Sequence, residues 1–507
     1  MNALERMIAA VAPKAALKRA QARMALGLVR EYEGAARGRR TDGWRTRSTS
    51  ANSETRKALP LLRDRARDLV RNNPYAARGV SVIASNLVGY GIKTAFQTPN
   101  KKALKALQSA WLAWAESTQC DADGQHDIYG LQEIVARGVV ESGEMLVRRR
   151  WRRASDGLAV PLQLQVLEAD FIDTAREGTL QNGNIIIQGI ELDKLGRRVA
   201  YYLFDEHPGD GWSFSRGTFV SHRVPAEDIL HVYRMDRAGQ LRGVSWLSPV
   251  IIRLRDFDEY EDAQLVRQKI AACFTAFVYD SETPESTGAG GKPQDLIERL
   301  EPAAIEFLPP GKQITLADPP GVQGYGEYTS VTLHAIAAGL GVPYESLTGD
   351  YSQVNFTSGR MGRAEFHALL DVWQWKMFVP RFCGGVSGWF VEAAMLAGLP
   401  AQGATAKHTP PRRVLVDPTR EIPAIIKAIR AGLQSMPNGI REMGIEPETM
   451  LDEIEEWNKE IDRRGIILDT DPRRVTNGGQ AQITPESKSV EDATGGDDAG
   501  GESKEAA

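Results

Sequence analysis

SPVIIRLRDFDEYEDAQLVRQKIAA, residues Ser248–Ala272, is a long run with helix-starting residues at its head and no helix breaker after them. Ser248 is a good helix N-cap, and Pro249 suits the first helical position, where its missing N–H would have had no partner. After Pro249 there is no glycine and no further proline up to Ala272, so the spacing predicts one helix of about 25 residues, roughly 37 Å long. Ile251, Leu254, Phe257 and Leu265 share it with many charges, so it is not simply buried in a core.

Reading onward, Thr275–Tyr279 is strand-like, Thr287–Lys292 is a Gly-rich loop, Asp295–Leu300 a short helix, and Ile305–Leu308 and Gln313–Leu316 further strands, which together make a compact α/β insert. A second helix, Val331–Leu340, carries Leu333, Ile336, Ala337 and Leu340 at helical spacing and is stopped by Gly341 and Pro343. A polar loop, Pro343–Ser358, leads to a long helix, Gly359–Val379, striped by Phe366, Leu369, Leu370, Trp373 and Met377 and ended by Pro380. Helix, small α/β module, helix, polar loop and long helix is an unusual order for an enzyme core.

Reading backward, Leu62–Asn72 is a charged helix ending in NNPYAARG, Gly79–Val88 begins an apolar segment, and Lys101–Glu116 and Ile128–Gly143 are helices. Strands follow at Met145–Arg150, Leu162–Leu167, Ile185–Ile190, Val199–Phe204 and Ile229–Tyr233, separated by turns such as Gln181–Asn184 and Asp193–Gly196. The fold class is therefore α+β.

Composition narrows the functions. The 507 residues are 42% hydrophobic and 25% charged, with a net charge of −4, so any basic surface must be local. One lies at the start, where residues 1–80 hold 18 Lys+Arg against 7 Asp+Glu. Residues 1–33 read as helical, Gly34–Ser53 as a flexible basic strap, and Pro485–Ala507 as a disordered acidic tail. Cys120, Cys273 and Cys383 form no CxxC pair or metal spacing and read as free thiols. With no spanning apolar run and no secretory h-region, the chain is expected to be soluble and intracellular where it is made.

Catalytic motifs are not legible. STGAGGKPQ (Ser286–Gln294) has serine where a phosphate loop needs its first glycine, and Pro293 where it needs Ser or Thr. DADGQHD (Asp121–Asp127) has its glycine in the fourth place rather than the sixth, which spoils a calcium loop. The seven histidines fall in no HExxH pairing, and there is no GxSxG. No catalytic residue, metal or cofactor is expected. Two features suit nucleic acid. Arg148, Arg149, Arg150, Arg152 and Arg153 surround Trp151, which fits phosphate contact plus stacking, the alternative being a solvated strand end or a subunit contact. Tyr351, Ser352, Gln353, Asn355, Thr357, Ser358 and Arg360 offer hydroxyl and amide groups with a single guanidinium.

Six segments carry a resemblance: Arg65–Val80 (RARDLVRNNPYAARGV), Glu141–Arg150 (ESGEMLVRRR), Gly189–Phe204 (GIELDKLGRRVAYYLF), Val224–Val250 (VPAEDILHVYRMDRAGQLRGVSWLSPV), Ile336–Gly362 (IAAGLGVPYESLTGDYSQVNFTSGRMG) and Val416–Leu433 (VDPTREIPAIIKAIRAGL). In that order they resemble the portal proteins of lambda-like tailed phages, over roughly residues 62–465. The resemblance implies a ring, usually of twelve copies, around a DNA channel. It divides the chain into a basic arm (1–53), wing (54–246), first stem helix (247–272), clip (273–328), second stem helix (329–342), tunnel loop (343–358), long helix with upper wing and crown (359–469), and acidic tail (470–507). It implies as partners further copies of the chain, double-stranded DNA, the terminase large subunit, a major capsid or scaffold protein and a head-completion adaptor, with no membrane. The place is the portal vertex of the virion head, after assembly in the host cytoplasm. The other readings are a different structural head or tail protein, or a hydrolase or nuclease without a recognisable site.

Overall fold

The computed structural model describes residues 48–210, 220–272, 276–280, 312–316, 324–415, 417–468 and 470–474, with Lys14 and Lys18. The chain divides into two units, Met1–Glu54 and Thr55–Ala507, and the second holds the fold described below. Expectations for residues 1–47, for Cys273, for the helix 295–300, for the strand 305–308 and for the tail from 475 lie outside the described residues.

Four helices open the fold: α1 (Ala51–Asn72), α2 (Pro74–Val88), α3 (Lys101–Ala115, after strand β1, Lys93–Gln97) and α4 (Ile128–Ser142). Their starts follow from side chains that accept otherwise orphaned backbone N–H groups. Asn73 accepts from Ala76 N, Asn100 from Lys102 and Ala103 N, and Asp127 from Gly130 N. Because α1 begins at Ala51, the boundary expected between residues 53 and 54 falls inside a helix.

Next come β2 (Glu144–Trp151) and β3 (Leu162–Glu168), then β4 (Gly178–Thr179), β5 (Ile185–Ile187), β6 (Ile190–Leu192), β7 (Arg198–Phe204), β8 (Ser221–Pro225) and β9 (Ile229–Tyr233). They form an antiparallel sheet β3-β2-β9 and a second antiparallel sheet β4-β5-β6-β7-β8. The single strand expected at 185–190 is in fact a hairpin. Gln188 (φ 50) and Gly189 (φ 78) both take positive φ, which closes a two-residue turn matched to strand twist.

The central strand β2 separates two cores. Met145 and Val147 belong to the larger one, Leu146 to a smaller one with Leu167, Ile172, Ile190, Tyr201, Leu203, Val224, Ile229 and Leu241. Alternation sends successive side chains to opposite faces, so a strand buried on both faces must be continuously apolar, as EMLV nearly is. In the larger core Phe390 packs against Trp111 (4.9 Å), Trp114 (5.3 Å) and Phe96 (5.8 Å).

The central helix α5 runs Ile251–Ala272, three residues shorter at its start than the sequence suggested. Ser248 does not cap it: its hydroxyl donates to Ser245 O at 2.5 Å, and the first helical bonds run from Ile251 and Leu254 to Leu247 and Val250. Strands β10 (Ala276–Asp280) and β11 (Lys312–Leu316), paired antiparallel, follow, and then α6 (Tyr325–Leu340). α6 begins six residues earlier than expected, and there Tyr260 of α5 stacks on Tyr325 at 6.1 Å and meets Tyr328 at a tilt, 4.4 Å away.

After the short α7 (Tyr344–Thr348), α8 spans Phe356–Trp373, so it starts three residues before the expected Gly359. Nor does Pro380 end this helical run. Residues Gln374–Cys383 widen into a π-helical stretch that contains Pro380 and passes directly into α9 (Gly384–Leu396). The wider turn lets the backbone continue past a residue that lacks an N–H and would clash with the carbonyl of an α-helical turn. Strand β12 (Thr405–Thr409) pairs with β1, and α10 (Pro418–Arg430), α11 (Met436–Glu442) and α12 (Pro447–Arg464) close the described chain. Among the described residues no helix is long and apolar enough to cross a membrane.

Phe390 fills the aromatic cluster of the larger core without any polar handle. Phe390→Ala is therefore expected to destabilise the chain by about 3–5 kcal/mol in urea unfolding of the unassembled protein.

Candidate functional site: a polar loop and a buried charge cluster

The deepest charges in the fold meet on Glu144, the first residue of β2, which is 0% exposed. Arg242, also fully buried, grips it as a fork, with Nη2 donating to Oε1 at 2.6 Å and Nε at 3.0 Å. The backbone N–H of Gly243 donates to Oε2 at 2.7 Å, and His231 Nε2 lies 2.9 Å from the same oxygen. Two glycines make this approach possible. A Cβ on Gly243 would lie 2.1 Å from the Gly143 carbonyl oxygen, and one on Gly143 (φ 96) would meet the backbone of Val244 and Ser245 at about 2.5 Å.

The cluster extends outward through α1. Arg63 lies 3.5 Å from Glu144 and 2.9 Å from Asp170, while Arg67 reaches Asp170 and Glu168, both at 2.7 Å, and Ser142 Oγ at 3.1 Å. Arg242 Nη1 also donates to Gln188 O at 3.2 Å, which holds the left-handed hairpin turn in place. Burial alone would raise the Glu144 carboxyl, but the Arg242 charge and the bond from His231 overcome it and hold the group ionised, well below the usual carboxylate range. Burial pushes His231 down to about 4 against the pull of Glu144, so near pH 7 it is neutral and its Nε2–H donates. Helix α1, both sheets and the 240–243 loop are thus tied at one point. Glu144, His231, Arg242 and Gly243 lie in the segments that carry the resemblance, yet no periodicity announces a pair 98 positions apart.

The polar loop lies elsewhere and is built by its own side chains. Thr348 Oγ1 accepts from Asp350 N, Asp350 Oδ1 accepts from Ser352 N, and Asn355 and Ser358 form a reciprocal capping box at the start of α8, at 2.8 and 3.1 Å. Thr357 and Ser358 accordingly sit on the first turn of α8, not in the loop. Tyr351, Ser352, Gln353, Asn355, Thr357, Ser358 and Arg360 are all exposed. Arg360 reaches Glu421 of α10 at 3.4 Å. The Gln353 and Thr357 side chains have no hydrogen-bond partner among the described residues. A hollow of about 520 Å³ beside them is lined by Asn86, Glu345, Tyr351, Asn355, Arg360 and Arg363, among others.

The five arginines of β2 and its exit do not form one free patch. Strand alternation puts Arg149 on one face and Arg148 and Arg150 on the other. Arg149 is committed to Asp228 at 2.5 Å and Glu392 at 2.7 Å, with its guanidinium over Trp151 at 5.1 Å. Arg152 donates to Gln163 at 2.6 Å, and Arg153 is exposed. Burial, and Arg150 beside it, lower the Arg148 pKa. In the 121–127 loop the buried Asp121 carboxylate accepts backbone N–H bonds from Asp123, Gln125 and His126, which occupies the oxygens a cation would need. Glu168, Asp170 and His207 come within 4.8 Å of one another, but Arg63 and Arg67 already neutralise these two carboxylates. Cys120 and Cys383 are free and buried, and burial raises both thiols, Cys120 to about 12.

The family described as "Phage portal protein, lambda family" matches residues 37–374. The chain belongs to the lambda family of phage portal proteins, a structural family. It is 26% identical over 471 residues to the probable portal protein of Halomonas phage phiHAP-1, covering 87% of this chain and 88% of that one. It is 25% identical over 394 residues to portal protein B of Escherichia phage lambda, covering 67% and 73%. A solved structure, the neck of a native GTA particle computed with C12 symmetry, is similar at TM-score 0.44 and 15% identity, over 75% of this chain and 94% of that one.

Burial of His231 makes folding stability depend on pH. Above pH 6.5 the ring is neutral in both folded and unfolded chain. Between 6.5 and about 4 the unfolded chain takes up a proton that the folded one refuses, so stability falls with falling pH by about 1.4 kcal/mol per pH unit. His408, which burial also pushes down to about 4, acts in the same direction. Urea midpoints measured from pH 7 to pH 4.5 are expected to fall steadily for the parent, and to fall with a shallower slope for His231→Gln.

Proposed function

We propose that the chain is the repeating subunit of a ring, of twelve copies, that surrounds double-stranded DNA at the portal vertex of a virion head, for packaging, retention and ejection. The observation that carries it, beside family membership, is the state of the central helices in the single chain. Ile252, Leu265 and Val266 of α5, Val331 of α6 and Met361 of α8 are all about half exposed or more. Apolar side chains left exposed on these helices suit a heterologous contact repeated around a closed ring, where each copy covers the next. On this reading α5 and α6 are the stem, the insert with β10 and β11 is the clip that receives the terminase large subunit and later a head-completion adaptor, and residues 343–358 with the first turn of α8 face DNA. Capsid or scaffold protein would meet the outer wing. Assembly would take place in the host cytoplasm, and the chain itself would hydrolyse nothing, leaving ATP turnover to the terminase.

Loop chemistry supports a sliding contact. Gln353 and Thr357 are free to exchange phosphate hydrogen bonds, and Arg360 is partly neutralised by Glu421, so the loop would touch a backbone without gripping it. Asn355 and Ser358 serve mainly to start α8, and replacing either by alanine should cost about 1 kcal/mol of local stability.

Electron microscopy of the purified chain is expected to show wide-pored rings, without magnesium-dependent ATP turnover. Monomers only, or turnover that tracks with changes in Gly288–Lys292, would contradict the reading. The paired change Gln353→Ala with Thr357→Ala is expected to leave rings intact and lower DNA retention in particles; unchanged retention would remove the loop from the channel.

A further inference from the structure

Beside the Glu144 cluster lies a second place where charge is left over. A hollow of about 460 Å³ opens between β7, β9 and the π-helical stretch, with Arg198, Tyr201, Glu227, His231, Pro380 and Arg381 in its lining. Two guanidiniums converge there on one aromatic ring. Arg198 lies over Tyr233 at 5.3 Å and Arg381 over the same ring at 4.2 Å. Arg198 Nη2 donates to the Tyr233 hydroxyl and to Leu241 O, and Arg381 Nη1 donates to His231 O at 3.3 Å. Every one of these partners is neutral.

Several other arginines packed into this region are instead paired with acid groups. Arg63, Arg67, Arg149, Arg223 and Arg242 each have a carboxylate within 3 Å. Among the described residues neither Arg198 nor Arg381 has one within ion-pair distance. The buried carboxylate behind them, Glu144, is already engaged by Arg242, His231 and Gly243. Glu227, at the rim, has a side chain 75% exposed and lies 3.8 Å from Arg149. Two like charges lining one partly desolvated hollow repel each other, and an anion bound in that hollow would offset the cost. A guanidinium presents parallel N–H donors that fit two oxygens of one acid group.

We propose that Arg198 and Arg381 form a binding site for one oxyanion group, a phosphate or a carboxylate, supplied either as a free anion or by an acidic side chain of a neighbouring copy. Arg381 enters the hollow from the π-helical stretch, and the site would therefore fasten that stretch to β7 and β9.

The test is thermal unfolding of the full chain, unassembled, at pH 7.5 in inorganic phosphate against sodium chloride of equal ionic strength. The parent is expected to gain about 2 °C, saturating with phosphate, and Arg381→Gln to gain nothing. No phosphate-specific gain in the parent, or an equal gain in the variant (an adventitious ion only), overturns the site. Should Arg381→Gln fail to fold by circular dichroism, Arg198→Lys keeps the charge but loses the fork. It is expected to need at least tenfold more phosphate for half the effect, and an unchanged requirement overturns the site. In assembled rings the same titration separates the sources. A retained response supports a free anion. A lost response with lower ring yield for Arg381→Gln supports the neighbour's carboxylate. A lost response with undiminished ring yield overturns the proposal.

Discussion

The bond between Glu144 and Arg242 is the constraint on which the rest of the fold depends. A carboxylate at 0% exposure is tolerable only if its charge is matched and its lone pairs are filled, and here two guanidiniums, an imidazole and a backbone N–H converge on it. These four groups come from three elements, with Arg63 on α1, His231 on β9, and Arg242 and Gly243 both on the 240–243 loop. Satisfying one carboxylate therefore fixes how the first helix, the three-stranded sheet and the second sheet's hairpin turn meet. Replacing the whole group by apolar residues of similar shape need not cost stability, but removing one member leaves a charge with no answer.

From this point the chain continues into α5 within a few residues, through Trp246, Leu247 and Val250, all buried. Arg234 lies over Trp246 at 4.5 Å, and Trp246 packs on Trp373 at the end of α8 at 4.7 Å. The base of α5 and the end of α8 are thus anchored to one another in the core. Their far parts, with the charged face of α5 and the polar loop before α8, project from that anchor into regions a single chain leaves uncovered. The buried charges behind them supply the rigidity.

Much of this was legible in the sequence, for identifiable reasons. α5, α6 and α8 announce themselves by helical spacing, and β9 by a compact apolar run, because local packing alone decides those elements. The limits are equally physical. Ser248 looks like a cap in isolation, but its hydroxyl finds Ser245 O first. Pro380 looks like a stop, but a wider helical turn absorbs it, which no local rule anticipates. Asn355 and Ser358 look like free hydrogen-bonding groups, yet they bond each other. The Arg148–Arg153 run looks like one basic patch, but strand alternation splits it and acidic side chains from β9's approach and α9 claim Arg149. The Glu144 cluster, which matters most, was invisible because its members are brought together only by the tertiary fold.

The most direct test of this account is a double-mutant cycle at the central pair, with Glu144→Gln, Arg242→Met and both changes together, read by urea unfolding of the unassembled chain. Each single change is expected to cost about 3–5 kcal/mol, and the double change much less than the two combined, since each single variant strands the partner charge. Additive losses, with a coupling near zero, would show that Glu144 and Arg242 do not depend on each other and that the fold is held together somewhere else.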